Sequence, residues 1–104
     1  MSLNINKTFN NEKNLWEVKL MGEVDIYNAN NLKENLNNLL QEKETDIELD
    51  CEELEYIDST GLGVLIGILK KLKNIEKNII ISNPKPNMSK LLRITGLDQI
   101  FVMK

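Results

Sequence analysis

Apolar residues recur along this chain at two alternating spacings, every second residue and then every third or fourth, and that switch dictates strands interleaved with helices. Residues 3–9 place Leu3, Ile5, Lys7 and Phe9 on one face, and residues 15–20 set Trp16, Val18 and Leu20 opposite Leu15, Glu17 and Lys19. The polar stretch NNEKN between them predicts an antiparallel β-hairpin. From 29 to 40, Ala29, Leu32, Leu36, Leu39 and Leu40 form one face of a helix, with Asn28 or Asn30 able to cap its start. DIELDC then alternates Ile47, Leu49 and Cys51 against Glu48 and Asp50, a strand with one face covered and one wet.

A second helix is predicted over about 60–73, with Leu62, Leu65, Ile66, Leu69 and Leu72 toward the core and Lys70, Lys71 and Lys73 in the last turn, where cations suit the helix dipole. IIIS at 79–82 is apolar on both faces, which suggests a strand covered on both sides or flanked by neighbours. Pro84 and Pro86 bring in a short helix, 87–95, carrying Met88, Leu91, Leu92 and Ile94, with Gly96 as its left-handed terminus. Ile100 to Met103 form a last strand. The order β-β-α-β-α-β-α-β predicts one α/β domain over residues 1–104. It has a mixed sheet, an N-terminal antiparallel hairpin, right-handed crossovers and helices packed on the sheet.

With 104 residues, 41 % of them hydrophobic, the chain supports a single core and is too apolar for disorder. There is no histidine, which excludes Ser-His-Asp and Cys-His nucleophiles and histidine metal sites. One cysteine, Cys51, excludes an internal disulfide and a multi-thiolate site; its inward phase makes it a small buried hydrophobe, and its thiol fits a reducing, cytoplasmic setting. No apolar run is long enough for a membrane span. A formal charge of −3 gives no attraction to nucleic acid or anionic lipid, which points to a protein partner. The charge is segregated: residues 42–58 carry nine acids and one Lys, whereas residues 70–104 carry eight basic and two acidic residues. A solvated face explains such a run, and an acidic docking surface near residue 58 is the alternative.

The informative stretch is IDSTGLGVLIG, 57–67, which follows a strand and opens a helix at the carboxyl end of the sheet, where α/β proteins place their sites. Asp58, Ser59 and Thr60 all sit where they can cap the first helical N–H groups. Gly61 and Gly63 permit close backbone approach, yet their spacing matches neither a dinucleotide fingerprint nor a phosphate-binding loop. What remains is a hydroxyl at a helix N-terminus, a place that tolerates phosphate.

IDSTGLGVLIG resembles the phosphorylation signature D-S-[ST]-G-L-G of the anti-sigma factor antagonists, bacterial regulators built on the STAS domain. GEVD at 22–25 is similar to the family's G-E-L-D or G-D-I-D at the end of the second strand, and Thr95-Gly96-Leu97 is similar to its S-G-L. The resemblance implies a STAS-like fold with Ser59 as the phosphoacceptor, Asp58 as its acidic neighbour and Asp25 on the adjoining loop. Thr60, Gly61, Leu62 and Gly63 complete the partner-binding segment. It further implies an anti-sigma factor serine kinase as partner, bound by the unphosphorylated form so that a sigma factor is released for transcription, and a serine phosphatase that reverses the modification. ATP and magnesium belong to the kinase, so no cofactor, nucleic acid or membrane is expected for this chain, and it is not expected to be an enzyme. Family members usually continue past the last strand into a further helix; this sequence ends at Lys104.

Two other readings stand beside it. One is a STAS scaffold subunit of a membrane-associated transport complex, with an unmodified Ser. The other is a small nucleotide-binding enzyme in which Asp25 and Asp58 share a divalent ion. From the residues alone, Asp25 is a turn or capping residue, and Tyr27, Tyr56 and Trp16 belong to the rim of the core.

Overall fold

The hairpin is present: β1 (Leu3–Asn10) and β2 (Leu15–Val24) run antiparallel in the computed structural model, which describes residues 2–104. Each later strand joins beside its predecessor and parallel to it: β3 (Asp46–Ile57), β4 (Ile79–Ser82) and β5 (Val102–Met103). The sheet order is therefore β1-β2-β3-β4-β5. A parallel step requires a crossover, and α1 (Ala29–Glu42), α2 (Ser59–Lys73) and α3 (Pro86–Ile94) supply them. One contiguous core joins Val18, Leu20, Ile47, Leu49, Cys51, Ile79 and Ile81 of the sheet to Leu32, Leu36, Leu65, Leu69, Leu72 and Leu92 of the helices. The opposite face, with Thr8, Glu17, Lys19, Glu48 and Asp50, forms a shallow polar hollow open to solvent. Ile80 stands on that open face between Glu48 and Val102 and is only half-buried, so β4 is apolar because strands flank it, not because both faces are covered.

β3 runs six residues past the alternation that announced it. Its twelve residues lie against the ten of β2, with register slips between Lys19 and Met21 and between Gly22 and Glu23. Each slip places one extra residue on β3, as a bulge does, so its inward side chains become Cys51, Leu54 and Ile57, three apart instead of two. Gly22 belongs to the second slip for a local reason. Its φ is +104°, and a Cβ there would strike the carbonyl oxygen of Ser2, which accepts a hydrogen bond from the Glu23 N–H at 2.9 Å.

Four side chains depart from the sequence reading. Ile68, not Ile66, belongs to the core face of α2. Ile94, in the last residue of α3, is 70 % exposed because the helix ends there before Gly96 turns the chain at φ +74°. A 3₁₀ turn, Leu97–Gln99, takes up the start of the expected last strand, so Ile100 falls outside β5 and Phe101 is the buried residue. Tyr27 is 90 % exposed and is no part of the core rim. Trp16 does occupy that rim, edge-on to Phe9 at 5.1 Å between ring centroids, with its indole N–H donating to the Lys43 carbonyl at 3.2 Å.

Candidate functional site

The ends of β2 and β3 lie side by side, Val24 paired with Ile57, and the Asp58 N–H donates to the Val24 carbonyl at 3.1 Å. Two loops therefore leave the sheet at the same edge, one beginning at Asp25 and the other at Asp58.

Of the three residues able to cap α2, Asp58 is the one that does. Its backbone is extended, and its carboxylate accepts the Gly61 N–H at 3.0 Å while its carbonyl accepts that of Leu62. The Thr60 hydroxyl donates to the same carboxylate oxygen. That hydroxyl, then the Gly61 N–H, with smaller help from the Thr60 and Ile26 N–H groups, holds the Asp58 carboxyl below its ordinary range against a small opposing effect of burial. Ile26 belongs to the other loop, so the two loops lie close to each other at Asp58.

Ser59 is left free. It is the first helical residue, it is exposed, and its hydroxyl has no hydrogen-bond partner among the described residues. Its two neighbours satisfy each other and the helix end, so nothing in the fold claims the Ser59 oxygen.

Asp25 does what a turn residue does. It is buried, and its carboxylate accepts the N–H of Tyr27 at 2.9 Å and of Asn28 at 3.3 Å. Asn28 answers by accepting the Asp25 N–H at 2.9 Å and donating to the Glu23 carbonyl at 2.9 Å. The expected cap by Asn28 or Asn30 is thus replaced: Asn28 stands at the start of α1 but makes no side-chain cap bond, because its amide is spent on the loop. The Asp25 carbonyl accepts the Ala29 N–H at 2.9 Å instead. The loop so fixed holds Ile26, 63 % exposed, and Tyr27 in solvent beside the Asp58 turn.

The glycines divide. A Cβ on Gly61 would lie 2.7 Å from both Val24 Cγ1 and Ile57 Cγ1, so this residue must be glycine for α2 to sit on the two strand ends. At Gly63 and Gly67 a Cβ would meet nothing within 4 Å, and the expected close approach at Gly63 is absent within this chain. Leu62 is buried and anchors the first turn.

The acidic run is spread over the sheet and partly neutralised. Lys104 reaches Glu48 at 3.2 Å and Lys85 reaches Glu55 at 3.7 Å, joining the basic C-terminal part to the acidic one, while Lys19 meets Glu53 at 2.7 Å. These pairs are surface contacts that do little for stability. Cys51 is fully buried, and burial first, then the Asp50 charge, pushes its thiol up to about 12, which leaves it inert. Among the described residues, no three His, Cys, Asp or Glu side chains gather as a metal site would require, and no helix is long and apolar enough to cross a membrane.

The sequence reading did not foresee that Ile26 and Tyr27 stand exposed on the loop that leaves β2. The signal was there, two large apolar side chains directly after GEVD, but nothing local said that the Asp25 turn would hold them outward.

Comparison with known proteins places this geometry among relatives. Residues 6–104 match the STAS domain family. Over 100 residues the chain is 37 % identical to an anti-sigma-B factor antagonist of Staphylococcus aureus, covering 96 % of this chain and 91 % of that protein. An anti-sigma factor antagonist from Mycobacterium paratuberculosis has the same fold, with a TM-score of 0.83 at 21 % identity, over 98 % of this chain and 85 % of that one. So does the Bacillus cell fate determinant SpoIIAA in its phosphorylated form, with a TM-score of 0.70 at 22 % identity, over 99 % of this chain and 91 % of the other.

Proposed function

The chain belongs to the STAS-domain family, with the anti-sigma factor antagonists, and from that premise we propose that it is itself such an antagonist, a protein-binding switch thrown at Ser59. Unphosphorylated, it binds an anti-sigma factor that is also a serine kinase, and the sigma factor is released for transcription in the cytoplasm. The kinase, which brings ATP and magnesium, transfers the γ-phosphoryl group to Ser59 Oγ; ADP leaves and the hydroxyl proton is released. A phosphatase returns the group to water. This chain contributes the acceptor and the surface, not the catalysis.

The observation that carries the reading is the free Ser59 hydroxyl between Asp58, which caps the helix, and Thr60, whose hydroxyl braces that cap. A capping hydroxyl would have to be withdrawn from the helix before it could be phosphorylated, whereas this one is already presented. Phosphorylation adds about −1.5 to −2 charge at pH 7. It does so beside Asp58, whose carboxylate is held ionised and already occupies the Gly61 N–H. The first turn then carries two anionic groups where a partner has to exclude water, and the complex is opposed by repulsion and by an unpaired phosphate.

Three variants test this. Ser59→Ala is expected to lose phosphorylation, keep its affinity for the anti-sigma factor and melt like the parent, because Ser59 caps nothing. Ser59→Asp is expected to lose about 100-fold or more in affinity at unchanged stability, which corresponds to about 2.7 kcal/mol of binding. Thr60→Ala is expected to remain phosphorylatable but to melt slightly lower, since its hydroxyl braces the cap. Calorimetric titration against the anti-sigma factor, thermal melts and intact mass after kinase treatment read all three. Equal affinities for Ala and Asp at position 59 would sink the switch.

A further inference from the structure

We propose that the anti-sigma factor also docks into the groove between α1 and α2, through an amphipathic helix that sets apolar side chains on Ile26, Val64 and the bare backbone at Gly63 and Gly67 and a carboxylate against Lys33 and Lys71. This deepens, and rests on, the reading of Ser59 as a switch.

The groove holds about 530 Å³ and begins at Thr60 and Ile26, at the same end of the molecule as Ser59. A partner that covers the Ser59 hydroxyl enters it without crossing the body of the domain. The other flank of α2 carries a hollow of about 480 Å³ as well, but it is lined by Ile66, Leu69, Lys70, Lys73, Asn74 and Ile100, in the later turns of the helix, and does not reach the Ser59 end. The polar face of the sheet lies behind the strands.

Its floor is built against the helix's own interest. Gly63 and Gly67 stand one turn apart inside α2, where glycine weakens a helix relative to alanine. Neither makes room for anything in this chain, since a Cβ at either position would meet open space. Ala29 of α1 is also small, and Ile26 leaves most of its surface in water at the mouth. An apolar channel with a low floor admits the ridge of a helix, in the manner of helix-in-groove recognition.

Charge selects the occupant. In a chain of net charge −3, the charged side chains on this groove are, among the described residues, Lys33 and Lys71 alone. Lys71 is held toward α1 by its bond to the Asn37 side chain. At the far end of the same furrow, beyond Asn37 and Lys71, a second hollow is walled by Glu42 and Glu44. Lys33 and Lys71 are spaced along the groove and the glutamates lie past its far end, so the complementary helix carries carboxylates along its length and a basic side chain at the end away from Ser59.

The test uses the full chain and the purified anti-sigma factor of the source organism. Gly67→Leu projects a side chain into the groove from a Cβ that meets nothing in this chain, so its affinity is expected to fall about 30-fold or more while its melting midpoint stays level or rises. Lys33→Glu, on the exposed side of α1, is expected to lose about 10-fold and to flatten the salt dependence of binding. Lys90→Glu on α3 serves as the control and is expected to bind like the parent. If Gly67→Leu and Lys33→Glu both bind within about two-fold of the parent while Ser59→Asp loses binding, the groove is not the dock and the switch stands. If those variants bind normally but their phosphorylated forms are dephosphorylated more slowly, the phosphatase occupies the groove and the proposal is overturned. A parent chain that fails to bind the anti-sigma factor at all removes the switch reading, and the docking proposal with it.

Discussion

The loops after β2 and β3 solve one problem twice and present different chemistry. Each begins with an aspartate whose carboxylate gathers backbone N–H groups at a strand end: Asp25 takes those of Tyr27 and Asn28, and Asp58 takes that of Gly61. After Asp25 three residues intervene before α1, and the two in the middle of the turn, Ile26 and Tyr27, are pushed into solvent. After Asp58 the helix starts at once, and the exposed side chain is a hydroxyl, Ser59. The buried aspartate thus fixes an apolar knob and the half-buried one fixes the proposed phosphoacceptor. The lesson is that rigidity here is supplied by the residue next to the exposed one, so that the exposed one stays free.

The comparison breaks most severely if the platform beneath both loops is removed. Leu65 is fully buried in the core that joins α2 to the sheet, and Leu65→Ala is expected to cost about 2–5 kcal/mol and to loosen both loops together. Denaturant melts read the cost, and amide exchange at Tyr27 and Gly61 reads the coupling; protection lost in only one loop would show that the two are independent. Gly61 is the direct hinge between them, since the atoms its Cβ would strike belong to the last residue of each strand, Val24 and Ile57. Gly61→Ala is expected to cost about 1–3 kcal/mol, as overpacking does. Gly63→Ala is expected to stabilise by about 0.5–1 kcal/mol in the same assay. Opposite signs for one substitution two residues apart are the signature sought, and equal signs would show that Val24 and Ile57 yield easily.

Much of this was legible because most elements announce themselves by period. The hairpin, the inward phase of Cys51, four of the five expected inward positions of α2 and the left-handed Gly96 all follow from spacing and from one-residue stereochemistry. What spacing hid is non-local. The extension of β3 to Ile57 was invisible because two bulges turn a period of two into a period of three, and a bulge is a property of two strands. The division of labour among Asp58, Ser59 and Thr60 was equally hidden: all three are good caps, and only the extended backbone of Asp58 decides which of them points back at the helix. Asn28 was credited with a cap that its engagement with Asp25 and Glu23 prevents. The outward Tyr27 follows from the same turn.

A smaller change separates turn from charge at Asp25. Asp25→Ala orphans the Tyr27 N–H and weakens the hold on Asn28, and is expected to cost about 1–2 kcal/mol and to reduce anti-sigma factor affinity by releasing Ile26 and Tyr27. Asp25→Asn keeps an acceptor oxygen in place and is expected to stay within about 0.5 kcal/mol of the parent in stability, with affinity and phosphorylation rate unchanged. If Asn is as damaging as Ala to phosphorylation while preserving stability, the carboxylate acts by its charge on the acceptor, and the likeness between the two loops becomes electrostatic.

The smallest expected effect lies at Asp58 and is visible only along the pH axis. The Thr60 hydroxyl and the Gly61 N–H favour the ionised carboxylate in the folded chain, so its folded pKa lies below the ordinary 3.8 of the unfolded one. A group depressed in this way contributes stability that is complete above the unfolded value and is lost as pH falls through the folded value. Asp58→Asn remains able to accept the Gly61 N–H, because asparagine is as good a cap, but it has no charge to offer the helix N-terminus and no proton to take up. The variant is therefore expected to melt slightly below the parent at neutral pH, and the gap is expected to close as the solution is acidified below the ordinary carboxylate range. Thermal melts of both proteins from pH 7 down to about pH 3 make the measurement. Curves that run parallel throughout would mean that Asp58, like Asp25, serves the loop by shape alone. The pairing of a charged cap with a phosphoacceptor would then lose its electrostatic content, and phosphorylation of Ser59 would have to act on the partner through bulk and an unpaired phosphate.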